Sequence, residues 1–254
     1  MSQRNLQIIV IAISVTLFSV LYFGVRTKPL KTAKVDKTRA LRAEGSTDTE
    51  KMIESAKAGL TKEQLAPILA IEKDIPLQLT DSLRTESLKS ISKEWNLLNK
   101  FAIGGIYAKQ IAEIQNTEES WSIAGTTFGI GQQRETDSEI RAFCTEEAIA
   151  AFNKAIEINP GYVNAQLNLS TTYVNEGNGL IDAMNALGNS SADVAKYDQL
   201  KKQKDDLFRE GANIIEEALK MNTDNKGLLS QLKNIYGALG DNDNFMRLKK
   251  LLGE

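Results

Sequence analysis

The chain has 254 residues, a formal net charge of −2, one cysteine and no histidine. Without histidine there is no Ser-His-Asp or Cys-His nucleophile system in its usual form and no His-ligated zinc or haem; the lone Cys144 excludes an internal disulfide framework and a thiolate metal cluster. The mildly acidic balance argues against nucleic acid, which needs a basic face.

The first element in chain order is an uncharged run, Leu6 to Val25. At 1.5 Å per residue a helix of that length spans about 30 Å, the thickness of a bilayer core. Bulky Leu21-Tyr22-Phe23 replaces the small residues a signal-peptidase site needs, so the expectation is an uncleaved transmembrane anchor over residues 1–25, with 6–25 in the membrane. Arg26, Lys28, Lys31, Lys34, Lys37, Arg39 and Arg42 follow, against Asp36 and Glu44. The positive-inside bias then favours a cytoplasmic over a periplasmic location for what lies downstream. Residues 26–47, with Pro29, Gly45 and Ser46, read as a basic tether.

Residues 48–117 are expected to be helical and to form a degenerate repeat. Thr49 to Gly59 is a short helix. Thr61-Lys-Glu-Gln64 has the form of a capping box and opens a helix through Leu65, Ile68, Leu69 and Ile71, with Pro67 early enough to be tolerated. A further helix over Thr80 to Asn99 is expected to bury Leu83, Leu88, Ile91, Trp95 and Leu98 along one side. Trp95, Tyr107 and Ala112 suggest a helix pair without a clean register. No alternating strand pattern occurs, so the class is all-α.

Residues 118–254 carry an internal repeat. Ala148, Phe152, Ala155 and Pro160 are followed by Leu169, Tyr173 and Gly177; 63 residues later Ala218, Tyr236 and Gly240 match Ala155, Tyr173 and Gly177. Upstream, Trp121-Ser-Ile-Ala124-Gly125-Thr-Thr-Phe128 fits W-x-x-L-G-x-x-Y with Ala for Leu and Phe for Tyr. The pattern resembles the tetratricopeptide repeat (TPR), in a membrane-anchored bacterial type. Against that family's period of about 34 residues, about 11 extra residues fall near 132–141 and about 29 near 180–208. In the second insertion Leu180 to Leu187 is expected to be helical, Gly188 to Ser191 a turn and Ala192 to Met221 one long helix. Its charged middle, Lys201 to Asp206, cannot be core all round.

Candidate chemistry is sparse. Glu118-Glu119, Glu146-Glu147 and Glu216-Glu217 are adjacent pairs, which on a helix point about 100° apart and do not converge. Gly129-Ile-Gly131 begins like a phosphate loop but has Arg134 where a third glycine belongs and no preceding strand. Close helix packing accounts better for these glycines and for Gly104-Gly105. Cys144, among Ile140, Ala142 and Phe143, reads as a packed thiol. No catalytic, cofactor or metal-binding residue is assigned, and the chain is not expected to be an enzyme.

The resemblance implies an α-solenoid that presents a groove built from the first helix of each repeat. It maps that groove to Glu119, Ser122, Thr126 and Gly129, then to Asn164, Leu167, Asn168, Thr171 and Asn175. The last repeat adds Gly227, Ser230, Gln231 and Asn234. The candidates for partner contact are Asn164, Asn168, Thr171, Asn175, Ser230, Gln231 and Asn234. Asn168 matches an Asn of the carboxylate clamp found in chaperone-binding members, but the clamp's cations are absent, so an extended peptide backbone is the better fit. The expected function is a membrane-tethered scaffold, in the bacterial inner membrane, that binds a protein or peptide partner during assembly or quality control of a membrane or envelope complex. The alternative is a stoichiometric structural subunit of a larger membrane complex.

Overall fold

The computed structural model describes residues 49–254, which form one compact unit. The apolar run 6–25 and the basic stretch 26–47 lie outside the described residues. Among the described residues there is no strand, and no helix is long and apolar enough to cross a membrane. The helices are α1 (Thr49–Ala58), α2 (Lys62–Asp74) with a 3₁₀ turn at Ile75–Leu77, α3 (Asp81–Leu97), α4 (Phe101–Gln115), α5 (Glu118–Arg134) and α6 (Ser138–Ile158). They continue as α7 (Val163–Asn178), the short α8 (Ile181–Asn185), α9 (Ser191–Met221), α10 (Lys226–Leu239) and α11 (Asn242–Leu252).

Each helix from α3 to α6 packs on its successor, and the chain continues with α7 on α9, α9 on α10 and α10 on α11. Short connections make such neighbours antiparallel. Contacts also join α5 to α7 and α7 to α10, which sets those three helices side by side as one layer. The fold is therefore all-α and repeat-like, with α1 resting on α4 and α2 on α3.

The repeat is visible atom by atom in the helix ends. Asn116, Asn159 and Asn222 close α4, α6 and α9, and each donates its backbone N–H to the carbonyl of a buried alanine four residues earlier: Ala112, Ala155 and Ala218, at 2.8, 2.9 and 3.1 Å. The next helix starts from Thr117, Tyr162 or Asn225. Counting from these N-caps, Trp121, Gln166 and Leu229 share the fourth position, Ala124, Leu169 and Leu232 the seventh, and Phe128, Tyr173 and Tyr236 the eleventh. The turns at Asn159–Tyr162 and Asn222–Asn225 have the same hydrogen bonds, at 3.0 and 3.1 Å, whereas Asn116 passes directly to Thr117.

Helix approach depends on missing side chains. A Cβ on Gly105 would come within 2.5 Å of the Phe128 ring, one on Gly125 within 2.7 Å of Phe152, and one on Gly131 within 2.6 Å of Cys144 Sγ. At such distances something must shift, since interiors are packed as densely as organic crystals. Gly129 differs: nothing lies within 4 Å of its Cβ position, so the close-packing expectation holds for Gly104, Gly105 and Gly131 but not there. Two cores result. One runs from Met52 to Leu169 and includes Trp95, Phe128 and Phe152; the other, from Phe208 to Leu248, is mainly Leu and Ile. Val163, Leu167 and Val174 of α7 pack against the second.

Several sequence expectations need correction. Leu83 is 53% exposed rather than core. Leu83 lies five residues before buried Leu88, about 140° around a helix, off the stripe that Thr85, Leu88, Ile91 and Trp95 bury. The extra residues near 132–141 lengthen two helices: α5 runs to Arg134 and α6 begins at Ser138, where Asp137 accepts hydrogen bonds from the Glu139 and Ile140 N–H groups at 2.8 and 3.1 Å. The capping box at Thr61 and Gln64 is formed, with bonds of 3.0 and 3.3 Å. A second, Ser190 with Asp193, starts the long helix α9.

Candidate functional site

The layer of α5, α7 and α10 carries a hydrogen-bonded polar seam. Asn168 Nδ2 donates to Thr126 Oγ1 at 3.3 Å, tying α7 to α5, and Gln231 Nε2 donates to Thr171 Oγ1 at 3.5 Å, tying α10 to α7. Thr171 in turn donates to the Leu167 carbonyl at 2.9 Å, which fixes its rotamer so that the oxygen can accept. Deeper in the layer, buried Gln132 of α5 donates to the Thr172 carbonyl of α7 at 3.0 Å. Helical spacing explains the line-up: Asn164, Asn168, Thr171 and Asn175 fall at i, i+4, i+7 and i+11, one side of α7.

The structure thus forms two separate pairs, Asn168 with Thr126 and Gln231 with Thr171. Asn164 and Asn234 are exposed, and Asn175 and Ser230 half-buried, on the same sides of α7 and α10. Those four side chains make no hydrogen bond to another described residue and keep their donors and acceptors for a ligand. Two mapped positions move. Ser122 is buried, and its neighbour Ile123 takes the outward place at 55% exposure. The signal was available in the spacing of Glu119, Ile123, Thr126 and Ile130 at i, i+4, i+7 and i+11, which one residue of misregister obscures. Gly227 sits close to α7, where an added Cβ would lie 3.7 Å from Leu167 Cδ1.

Charge on this face stands at the helix starts, Glu119 on α5 and exposed Lys226, four residues before Ser230, on α10. Among the mapped groove positions, only Glu119 is ionisable, and it lies in the first turn of α5. Lys233 of α10 is engaged elsewhere, with Nζ 2.7 and 2.6 Å from the two carboxylate oxygens of Glu254. The adjacent carboxylate pairs are engaged by neighbouring side chains. Glu118 accepts from Asn159 Nδ2 at 3.2 Å, Glu147 pairs with Lys109 at 2.7 Å, Glu217 with Lys220 at 2.6 Å, and Glu216 accepts from the Tyr236 hydroxyl. Burial, then the Glu216 carboxylate, pushes the Tyr236 phenol up to about 12.

Cys144 is fully buried, and burial pushes its thiol up to about 12; its Sγ packs against Gly131. Among the described residues no three His, Cys, Asp or Glu side chains are grouped to hold a metal ion. A surface cleft of about 510 Å³ lies between α9, α10 and α11, with Arg209, Asn213, Tyr236, Asp241 and Asn244 in its wall. It is open to solvent and its charges are mixed. A smaller one, about 190 Å³, lies beside the Lys109–Glu147 pair over Phe128 and Phe143.

In the charged middle of α9, Lys204 Nζ stands 4.9 Å above the Phe208 ring and 3.1 Å from Asp205, and Lys201 pairs with Asp205 at 2.7 Å. Burial opposes the Asp205 charge, yet the two lysines hold its carboxyl below the usual range. This stretch therefore packs one side against the array, and only the turns before Leu200 stand outward, with Val194 and Tyr197 at 52% and 41% exposure. No protein-family model and no curated protein matches the chain.

Proposed function

We propose that the chain is a membrane-tethered scaffold of TPR type that holds a protein or peptide partner on the α5–α7–α10 layer. The observation that carries this reading is the polar face on which Asn168–Thr126 and Gln231–Thr171 bridge three helices while Asn164, Asn175, Ser230 and Asn234 keep free hydrogen-bonding groups. An amide both donates and accepts, so a row of them matches a peptide backbone whatever its side chains. Kinship with the TPR family is supported by the N-cap register, in which small or aliphatic and aromatic residues recur at the seventh and eleventh positions. The anchor at 6–25 and the basic flank at 26–47 supply the tether and favour a cytoplasmic location at a bacterial inner membrane. Work on assembly or quality control of a membrane or envelope complex suits such a placement.

The test is crosslinking in intact membranes followed by detergent extraction, comparing the native chain with Asn164, Asn168 and Asn175 changed together to Ala. Loss of the partner supports the reading. An undiminished, stoichiometric partner favours the structural-subunit alternative, for which outward-facing Val194 and Tyr197 on α9 offer a docking edge.

A further inference from the structure

Among the described residues the two most exposed leucines lie in one turn, the link from α2 to α3. Between Asp74 and Asp81 the run Ile75-Pro-Leu-Gln-Leu-Thr80 carries no charge, and Leu77 and Leu79 are 66% and 95% exposed. Leu83 follows in the first turn of α3, more than half exposed. The turn holds its own polar groups: the Gln78 N–H donates to the Ile75 carbonyl, the Gln78 side-chain amide to the Asp74 carbonyl and the Leu83 N–H to Thr80 Oγ1, each at 3.3 Å. Ile75 packs inward on the first core. Gln78 is extended, with φ −74° and ψ 119°, so Leu77 and Leu79 stand on the same side of the chain. A pair of projecting leucines on a turn whose polar groups are paired internally suits a fluid apolar phase, where unpaired backbone costs most.

The rest of the chain supplies that phase. If residues 6–25 span a bilayer, only residues 26–48 separate the span from Thr49. A coil of that length reaches about 26 Å on average. Helix α1 adds about 15 Å, and its Lys57 pairs with Glu72 at 2.6 Å, three residues before the turn. The turn thus begins within about 30 Å of Thr49. Reach and span match, which is the condition for a high effective concentration of a tethered second contact. Two leucines are too few to hold a free protein on lipid, but they add to an attachment already made. Charge beside the turn is balanced, exposed Lys73 and Arg84 against exposed Asp74 and Asp81, so lipid charge neither draws nor repels it. A second copy fits less well, since two projecting leucines offer far less than the roughly 800 Å² per partner of a stable protein interface.

We propose that the Leu77–Leu79 turn dips into the lipid interface as a second membrane contact and sets which end of the helical array faces the bilayer. This rests on the membrane anchor in the functional reading above and not on the α5–α7–α10 face.

The test uses the full chain reconstituted in vesicles of phosphatidylcholine, alone or mixed with phosphatidylglycerol. An environment-sensitive fluorophore is attached at Leu79→Cys and, in a second variant, at Lys154→Cys, exposed on α6; Cys144 is buried and stays unlabelled. Nitroxide-bearing lipid should quench the label at 79 at least about twofold more than at 154, in both lipid mixtures and at about 500 mM salt. Adding Leu77→Ser should lower the insertion equilibrium about tenfold, read as a fall in the quenched fraction. Both leucines are exposed, so unchanged circular dichroism and melting would show that the fold is intact.

An alkaline carbonate wash separates the two readings. A chain that stays with the vesicles while 79 and 154 are quenched equally overturns the turn contact and leaves the anchor standing. Quenching at 79 that needs phosphatidylglycerol, or that salt removes, also defeats the proposal, because basic residues and not leucines would then hold the surface. So would quenching that Leu77→Ser leaves unchanged. Label at 79 that self-quenches as protein density rises, without quenching by lipid, would assign the leucines to a second copy instead. A chain washed off the vesicles removes the anchor, and the turn contact with it.

Discussion

The two cores of this protein solve the same packing problem with different side chains. Around α4, α5 and α6 the helices close by seating rings on glycines, Phe128 on Gly105 and Phe152 on Gly125. Around α9, α10 and α11 the closure is mainly aliphatic, through Ile215, Leu228, Leu232, Ile235 and Leu248, with one ring, Phe208, seated on Gly177. A ring on a glycine admits neither a larger floor nor a smaller ring, whereas branched aliphatic chains can shift to fill small changes. The first core is thus the intolerant half, and the second, which ends in α11 with only Leu248 fully buried, is the adaptable one. In stacked-helix arrays each unit leans only on its neighbours, so the two halves report their injuries separately.

Substitutions can break this contrast. Phe152→Ala, which empties a fully buried ring site, should cost about 3–5 kcal/mol by chemical denaturation. Leu232→Met, a volume-conserving change in the aliphatic half, should cost under about 1.5 kcal/mol. Equal losses would remove the distinction. Gly125→Ala puts a methyl where the Phe152 ring lies and should cost about 1–3 kcal/mol, in part restored by adding Phe152→Leu. Gly129→Ala, four residues on in the same helix but facing open space, should instead stabilise by up to about 1 kcal/mol. A penalty at both glycines would mean that helix propensity or local strain, and not the ring contact, sets the result.

Caps give smaller effects. Asn225, whose side chain accepts the Leu228 N–H at 3.0 Å, should lose about 1 kcal/mol as Asn225→Ala, with the change confined to amide exchange in α10 and α11. The least change is expected in alkali. Burial and the Glu72 carboxylate, 2.8 Å from the hydroxyl, raise the Tyr107 phenol above its ordinary value; Lys57 is raised too, since Glu72 and Glu54 outweigh its burial. Both folded values lie above the unfolded ones. Their contribution is therefore complete below about pH 10 and is lost as pH rises through the folded values. Tyr107→Phe should make the alkaline decline in melting temperature shallower without altering the neutral-to-acid side.

What the sequence disclosed, and what it hid, follows from how each feature is encoded. The helices, the Thr61 capping box and the long α9 were legible because period and cap chemistry are local. The 63-residue repeat was legible in Ala155, Tyr173 and Gly177, yet the sharper signal, an Asn four residues after the buried Ala at 116, 159 and 222, went unread since the intervals between copies differ. Leu83 was misplaced because apolar identity does not fix angular position when two stripes compete. Which glycines were notches was not readable, since the ring that fills each notch comes from another helix. On the candidate face the repeat pattern pointed to Asn168, Thr171 and Gln231, which the structure shows in cross-helix hydrogen bonds. Ile123 was missed by one position, for an exposed isoleucine looks like core until its neighbours are placed.

A partner seated on the α5–α7–α10 layer, as proposed, must lie within reach of that layer's exposed side chains. The most direct measurement places a photo-crosslinking residue at Asn234, exposed on that layer, and in a second variant at Lys154, exposed on α6. Irradiation of intact membranes should give a discrete adduct from position 234 and none from 154. An adduct from 154 alone, or the same adduct from both, would contradict the account.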